Sequence, residues 1–234
     1  MKLGIIGAMT IEVETLKQQM KNVSVTERAG MAFYAGTLEN LPAVVVQCGV
    51  GKVNAALCVQ ILCDCFDVTH VVNTGVAGSL CADLDIGDLV ISQDAMYHDF
   101  DCSVINPNYA VGQVPGLAVR QFPADERMIH WAFQAAQQVH AGHSRVGRVA
   151  SGDQFVASKS QKDKIVADTG ALCTEMEGAA IAHAAWRNGV PFVVIRAISD
   201  KADDSAQMDY PTFEAIAAAR CAAVTLTLAQ LMQQ

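Results

Sequence analysis

Glu175-Met176-Glu177-Gly178 and Arg196-Ala197-Ile198-Ser199-Asp200 put three carboxylates, a guanidinium and a hydroxyl into two short stretches of a 234-residue chain. Groups of these types can pass protons and hold a cationic transition state if they face one pocket. Each stretch sits where an apolar, strand-like run gives out: Gly170-Ala171-Leu172-Cys173-Thr174 before the first, Pro191-Phe192-Val193-Val194-Ile195 before the second. Residues 179–188 between them read as a helix closed by Gly189 and Pro191. In open α/β sheets, ligands bind outside the carboxyl ends of the strands. Glu175, Glu177, Arg196, Ser199 and Asp200 are therefore expected to converge. Taken singly, each has an ordinary role: charge at a helix N-terminus for the two glutamates, turn capping for Ser199 and Asp200. Glu12 likewise reads either as dipole-matched charge in a first helical turn or as a base at the pocket rim. Several carboxylates and an arginine at the ends of different strands favour a site over coincidence.

The elements that must position these groups alternate along the chain. Residues 3–6 read as a first strand ending in Gly7, and 10–20 as a helix with Ile11, Val13 and Leu16 on its apolar side. Residues 31–38 and 41–47 read as strands joined by a turn at Glu39-Asn40, and 52–65 as a helix through Val53, Leu57, Ile61 and Leu62. A short strand at 70–73 leads into Thr74-Gly75-Val76-Ala77-Gly78. Its small residues let backbone approach a flat or sugar-like ligand, or equally a packed helix. Residues 88–92 and 145–150 read as strands, and 124–138, 159–167 and 212–232 as helices. The irregular stretch from Tyr97 to Gly116 is long for a structureless loop and has the character of a lid or binding segment. The alternation predicts one α/β domain over residues 1–234, with a mixed, largely parallel central sheet flanked by helices.

Composition excludes several classes. Apolar residues make up 52% and charged residues 17%, so the chain can bury a core and is not disordered. A net charge of −8 argues against a nucleic-acid surface. No uninterrupted apolar run approaches the roughly 20 residues of a membrane span, and Met1-Lys2-Leu3-Gly4-Ile5-Ile6-Gly7 reads as a strand rather than a signal peptide. The eight cysteines form no C-x-x-C, so free thiols in a reducing cytoplasm are expected. His98, Asp99 and Asp101, or His140 and His143, have metal-compatible types, but no third or fourth ligand of matching pattern lies nearby, and no metal is expected. Gly4-Ile5-Ile6-Gly7-Ala8-Met9 lacks the dinucleotide fingerprint. Cys48-Gly49-Val50-Gly51-Lys52 lacks the spacing and the hydroxyl of a triphosphate loop.

Read in order, these motifs resemble the bacterial 5′-methylthioadenosine/S-adenosylhomocysteine nucleosidases of the purine nucleoside phosphorylase-like superfamily. The matching pieces are Gly4–Met9 with Glu12, Gly49-Val50-Gly51-Lys52-Val53-Asn54-Ala55, Asn73-Thr74-Gly75-Val76-Ala77-Gly78 and Tyr97-His98-Asp99. They continue with Ser151-Gly152-Asp153-Gln154-Phe155, Glu175-Met176-Glu177-Gly178-Ala179 and Arg196-Ala197-Ile198-Ser199-Asp200. The resemblance implies a nucleoside phosphorylase-like fold and hydrolysis to adenine plus 5′-methylthioribose or S-ribosylhomocysteine. It also implies a place in methionine salvage and, indirectly, autoinducer-2 supply. It makes Asp200 the acid at adenine N7, held by Ser199, and Glu12 the base that activates water, with Arg196 ordering the site. Glu177, beside Met176 and Glu175, would grip the ribose hydroxyls; Phe155 would stack on adenine and the Val156 backbone would read its edge. Val76, Ala77 and Gly78 would bind the substrate, and Met9, Ile105 and Tyr210 would line the apolar 5′-thio pocket. Water is the nucleophile, so no cofactor is implied. A homodimer is implied, with a loop near 100–115 reaching the neighbouring site. Val76 stands where some relatives carry serine, and the segment 102–112 has two extra residues against some members. The rivals are a purine nucleoside phosphorylase, a 6-amino-6-deoxyfutalosine hydrolase and a non-catalytic nucleoside-binding protein.

Overall fold

A computed structural model describes residues 1–233. The strands are β1 (Leu3–Gly7), β2 (Lys21–Arg28), β3 (Met31–Leu38), β4 (Leu41–Gln47), β5 (His70–Ser79), β6 (Leu89–Tyr97), β7 (Phe122–Pro123), β8 (Ser144–Ser151), β9 (Cys173–Glu175) and β10 (Phe192–Asp200). The helices are α1 (Thr10–Gln19), α2 (Lys52–Phe66), α3 (Glu126–Val139), α4 (Lys159–Thr169), α5 (Gly178–Asn188) and α6 (Ala206–Leu231). Strands β1, β4, β5 and β10 are buried at almost every position because both of their faces are covered. Leu3, Ile5, Ala43, Val45, Val72, Val193 and Ile195 join a core with α1, α3 and α6. Ile6, Val44, Val46, Val71 and Val194 alternate into a second core with α2 and α5.

The sheet closes on itself. Strand β5 pairs with β10 in parallel, β10 with β6 antiparallel, β6 with β8 and β8 with β9 in parallel, and β9 returns antiparallel to β5. From this ring the sheet extends through β1, β4, β3 and β2. Closure brings the carboxyl ends of β5, β8, β9 and β10 together, with the β1–α1 turn beside them, where the sequence placed the reactive groups.

Several expectations are corrected. The short strand at 70–73 runs on to Ser79, so Gly75 through Gly78 are strand residues and not a loop after it. The strand at 191–195 continues to Asp200, which puts Arg196, Ser199 and Asp200 inside β10. The strand at 88–92 extends to Tyr97. Residues 21–28 form an edge strand not anticipated, exposed along nearly its whole length. The last helix begins at Ala206 rather than 212, with Pro211 inside it. Proline there forfeits only the bond to the Gln207 carbonyl, close to the helix start. By length and hydropathy α6 could cross a membrane. Here Ala217, Ala218, Cys221, Ala222, Val224 and Leu228 pack it into the core. The irregular stretch expected from Tyr97 to Gly116 runs from 98 to 121, with Tyr97 itself ending β6.

Candidate active site

Arg196 is the centre of the site and is 1% exposed. Its Nη2 donates to Glu175 and to Asn73 Oδ1, its Nη1 donates to the Val76 carbonyl at 3.3 Å, and it faces Glu12 at 3.9 Å and Glu177 at 3.7 Å. One guanidinium thus faces three buried carboxylates, more negative charge than it can neutralise. Burial disfavours its charged form, but Glu175, Glu177 and Glu12 outweigh that and hold its proton more firmly than in water. A Cβ on Gly75 would collide with both Glu12 Oε1 and Arg196 Nη1, so the close approach of this strand requires glycine.

Glu12 does more than match the α1 dipole. Its carboxylate folds back to accept the N–H groups of Ala8 (2.7 Å) and Met9 (3.0 Å), and across the sheet that of Val76 (3.1 Å). Burial raises its pKa, and Arg196 and the three backbone donors lower it by less. Glu177 accepts the Gly51 N–H at 2.9 Å. Burial, reinforced by Glu175, pushes its pKa up to about 7, against the opposing pull of Arg196. Asp200 accepts Ser199 Oγ at 2.9 Å on one oxygen and the Ala202 N–H at 2.8 Å on the other. Burial raises its pKa more than these two bonds lower it. A buried aspartate that retains its proton at higher pH is suited to general-acid work.

Glu175, expected among the groups touching substrate, lines the cavity, and its carboxylate is also engaged by the protein. One of its oxygens is held by Ser151 Oγ, and the other by Arg196 and the N–H groups of Glu177 (3.0 Å) and Gly178 (2.7 Å). It orients Arg196 and the start of α5 with no oxygen left over. Asn73, Ser151 and Gly51 complete this frame; the sequence showed them only as members of motifs and gave them no role. Their partners lie 123, 24 and 126 residues away in the chain, so no local pattern reports them. Gly51 is in turn held where Asp153 accepts the Lys52 N–H (2.9 Å), while Asp99 receives the Lys52 ammonium (2.6 Å) and the Asp153 N–H (2.9 Å).

Arg196, Glu12, Glu175, Glu177 and Asp200 border one open cavity of about 180 Å³. Met9, Val76, Ala77, Gly78, Phe155, Val156, Met176 and Tyr210 line it together with Glu12, Glu175, Glu177, Arg196, Ser199 and Asp200. Ala8, Val50, Gln154 and Thr174 also line it and were not anticipated. Phe155 meets Tyr210 edge-on at 5.5 Å, and Tyr210 donates to Glu214 (2.8 Å) while its hydroxyl oxygen touches Met9 Sδ (3.3 Å), which closes an apolar end. Ile105 is not in this wall; it is 81% exposed on the irregular segment. Of the histidines weighed as metal ligands, His98 packs on Gly152. His140 stacks on His143, whose Nδ1 meets Asp88 at 2.9 Å. Asp88, His140 and His143 bring ligand atoms within 4.8 Å of one another, away from the cavity lining.

With this geometry in place, the likeness to known proteins is full-length. Residues 2–230 match the Phosphorylase superfamily. A 5′-methylthioadenosine/S-adenosylhomocysteine nucleosidase of Geobacillus kaustophilus (strain HTA426) is 39% identical over 235 residues, covering 100% of this chain and 99% of its own. The structure of 5′-methylthioadenosine/S-adenosylhomocysteine nucleosidase from S. pneumoniae with the transition-state inhibitor MT-ImmA matches with a TM-score of 0.93 at 35% identity, covering 99% of this chain and 100% of that one. The native structure of futalosine hydrolase of Helicobacter pylori strain 26695 matches with a TM-score of 0.92 at 32% identity, covering 100% and 98%.

Proposed function

The chain belongs to the Phosphorylase superfamily and, within it, to the 5′-methylthioadenosine/S-adenosylhomocysteine nucleosidases, and we propose that it hydrolyses the N-glycosidic bond of both nucleosides. The products are adenine and 5′-methylthioribose or S-ribosylhomocysteine. The observation that carries this reading is the arrangement of three carboxyl groups around one cavity. Asp200 lies by Gly78 at the end of β10, Glu177 beside the Gly51 turn, and Glu12 against the Val76 backbone.

Adenine departs poorly as an anion. Asp200 gives its proton to N7 while the bonding pair of the glycosidic bond moves onto N9, so the base leaves neutral. The sugar becomes oxocarbenium-like, and the ionised Glu177 holds the ribose hydroxyls and stabilises the positive charge. Water attacks C1′ and yields its proton to Glu12, and solvent exchange resets the two carboxyls. Ser199 keeps Asp200 aimed, Arg196 orders the carboxylates, Phe155 stacks on the base, and the Val156 backbone reads its edge. Met9 and Tyr210 receive the thioether end of the substrate.

Phosphorolysis fits this cavity less well. A phosphate in the place of the attacking water would face Glu12, Glu175 and Glu177, and the one guanidinium there is already engaged by them. Incubated with 5′-methylthioadenosine, the protein is expected to release adenine and free 5′-methylthioribose at the same rate with and without phosphate. A phosphate requirement with a sugar 1-phosphate product would replace the hydrolase with a phosphorylase. Turnover of 6-amino-6-deoxyfutalosine in the same assay measures the rival suggested by the H. pylori structure.

The homodimer belongs to the same reading. Val53 (71% exposed) and Leu57, one turn apart on α2, are exposed apolar side chains, and Val104 and Ile105 are exposed on the irregular segment. In the proposed assembly the loop near 100–115 enters the neighbouring cavity and Ile105 completes its 5′-thio end. Val53→Asp is expected to convert a dimer into a monomer in light scattering. Ile105→Asp is expected to raise KM for 5′-methylthioadenosine while leaving the dimer intact. A wild-type protein that is monomeric at micromolar concentration would refute the assembly. A role in methionine salvage in the cytoplasm follows from the substrate and accords with eight free thiols, four of them buried.

A further inference from the structure

Thr174 is 5% exposed, lines the cavity, and its Oγ1 has no hydrogen-bond partner in the protein. Buried hydroxyls rarely go unpaired, because each forfeits its bonds to water, so one on a residue that lines a binding cavity calls for a partner from the ligand.

The strand registers say which part of the ligand that is. Thr174 is directly opposite Gly78 in the antiparallel β5–β9 pair, so the two positions present the same face. A Cβ on Gly78 would lie 2.8 Å from Asp200 Oδ1. Thr174 also lies beside Ala150 in the parallel β8–β9 pair, and Ala150 packs with Val156 and Ala202. Both registers place Thr174 at the end of the cavity that holds Asp200 and Val156. Glu175, the next residue, alternates to the opposite face and meets Arg196.

We infer that Thr174 Oγ1 accepts a hydrogen bond from the 6-amino group of the purine, the substituent neighbouring N7, and so helps select the base. The inference rests on the reading of Asp200 and Val156 as the base-binding end. Val156 contributes backbone and Asp200 the proton, so Thr174 is the side chain left to sense what the six-membered ring carries. Nothing in the sequence marks it: a threonine in a three-residue strand has the ordinary β-propensity explanation.

Thr174→Val keeps the shape and removes the hydroxyl. Adenine and unsubstituted purine, which lacks the 6-amino group, are the probes, titrated calorimetrically against wild type, Thr174→Val and Thr174→Ser. In wild type, adenine is expected to bind more tightly than purine. In Thr174→Val the adenine Kd is expected to rise about 3–10-fold, the worth of one neutral hydrogen bond, with the purine Kd unchanged, so that the preference collapses. Thr174→Ser, which keeps a hydroxyl, retains it. The ligand-free valine variant is expected to melt at or above the wild-type temperature, because an unpaired buried polar group has been removed. A merely structural threonine would give the opposite sign. For 5′-methylthioadenosine the valine variant raises KM and leaves kcat nearly unchanged, as for an interaction shared by ground and transition states. An adenine-to-purine preference unchanged in Thr174→Val overturns the inference and leaves the base-binding reading standing. A wild-type protein that binds neither probe overturns both.

Discussion

Asp200→Asn is expected to lower kcat for 5′-methylthioadenosine by about 10²–10⁴-fold, the usual worth of a positioned general acid. The fold has little reason to object to the change. Asparagine keeps an oxygen for the Ala202 N–H, and Ser199 Oγ, already 3.4 Å from the Ala77 carbonyl, can turn its proton there and accept from the new amide. Burial disfavours the ionised aspartate, so the neutral amide is expected to melt no lower than wild type. Adenine affinity should change by far less than kcat, which separates a lost proton from a lost pocket. A 5-thioriboside with a nitrophenolate leaving group, which departs without a proton, should be cleaved by the variant at close to the wild-type rate. Equal losses on both substrates would mean that Asp200 shapes the site rather than protonates the base.

The sequence made the acid legible because Ser199-Asp200 ends an apolar run, and the same signal located Arg196, Glu175 and Glu177. Their spacing alone could not tell Glu175 from Glu177; only the resemblance gave the ribose hydroxyls to Glu177. Two glutamates on either side of a methionine look alike. They are separated by what approaches from elsewhere: Ser151 and Arg196 saturate the first, whereas the second receives one N–H from Gly51. The residues alone left Glu12 open between first-turn charge and a base at the pocket rim, and its setting depends on Val76, 64 residues on. The main sheet was readable where strands are buried on both faces, as in Val44-Val45-Val46 and Val193-Val194-Ile195. Strand β5 seemed to stop at Asn73 because glycines at 75 and 78 dilute the apolar signal, yet those glycines are what let Glu12, Arg196 and Asp200 come so near the strand. Strand β9 is three residues long and closes the ring by pairing with β5 and β8, a tertiary event without local signature. Edge strand β2, solvated on both sides, carries neither a run nor a clean alternation.

Removing the one cation should do more to the fold than removing any of the acids. Arg196→Met keeps much of the volume but leaves Glu12, Glu175 and Glu177 buried without a countercharge, for which a loss of about 3–5 kcal/mol is expected, together with activity. The loss should depend on pH, with a definite sign. Glu12 and Glu177 already have folded-state pKa values above their unfolded ones, Glu177 at about 7. Such a group binds more protons folded than unfolded between the two values, so stability falls as pH rises through that window. Arg196 holds both values down, and without it they climb further and the window extends upward. Denaturant unfolding should therefore show the full deficit near pH 8 and a smaller one near pH 5, where the carboxyls are neutral at lower cost. Adding Glu177→Gln to the variant should recover part of the stability near pH 8 and little near pH 5, since it removes a charge that at low pH is already absent. A deficit independent of pH would locate the damage in the lost bonds to Asn73 and Val76 and not in the charge balance. The excess of buried carboxylate over cation would then not be what makes this site costly to fold.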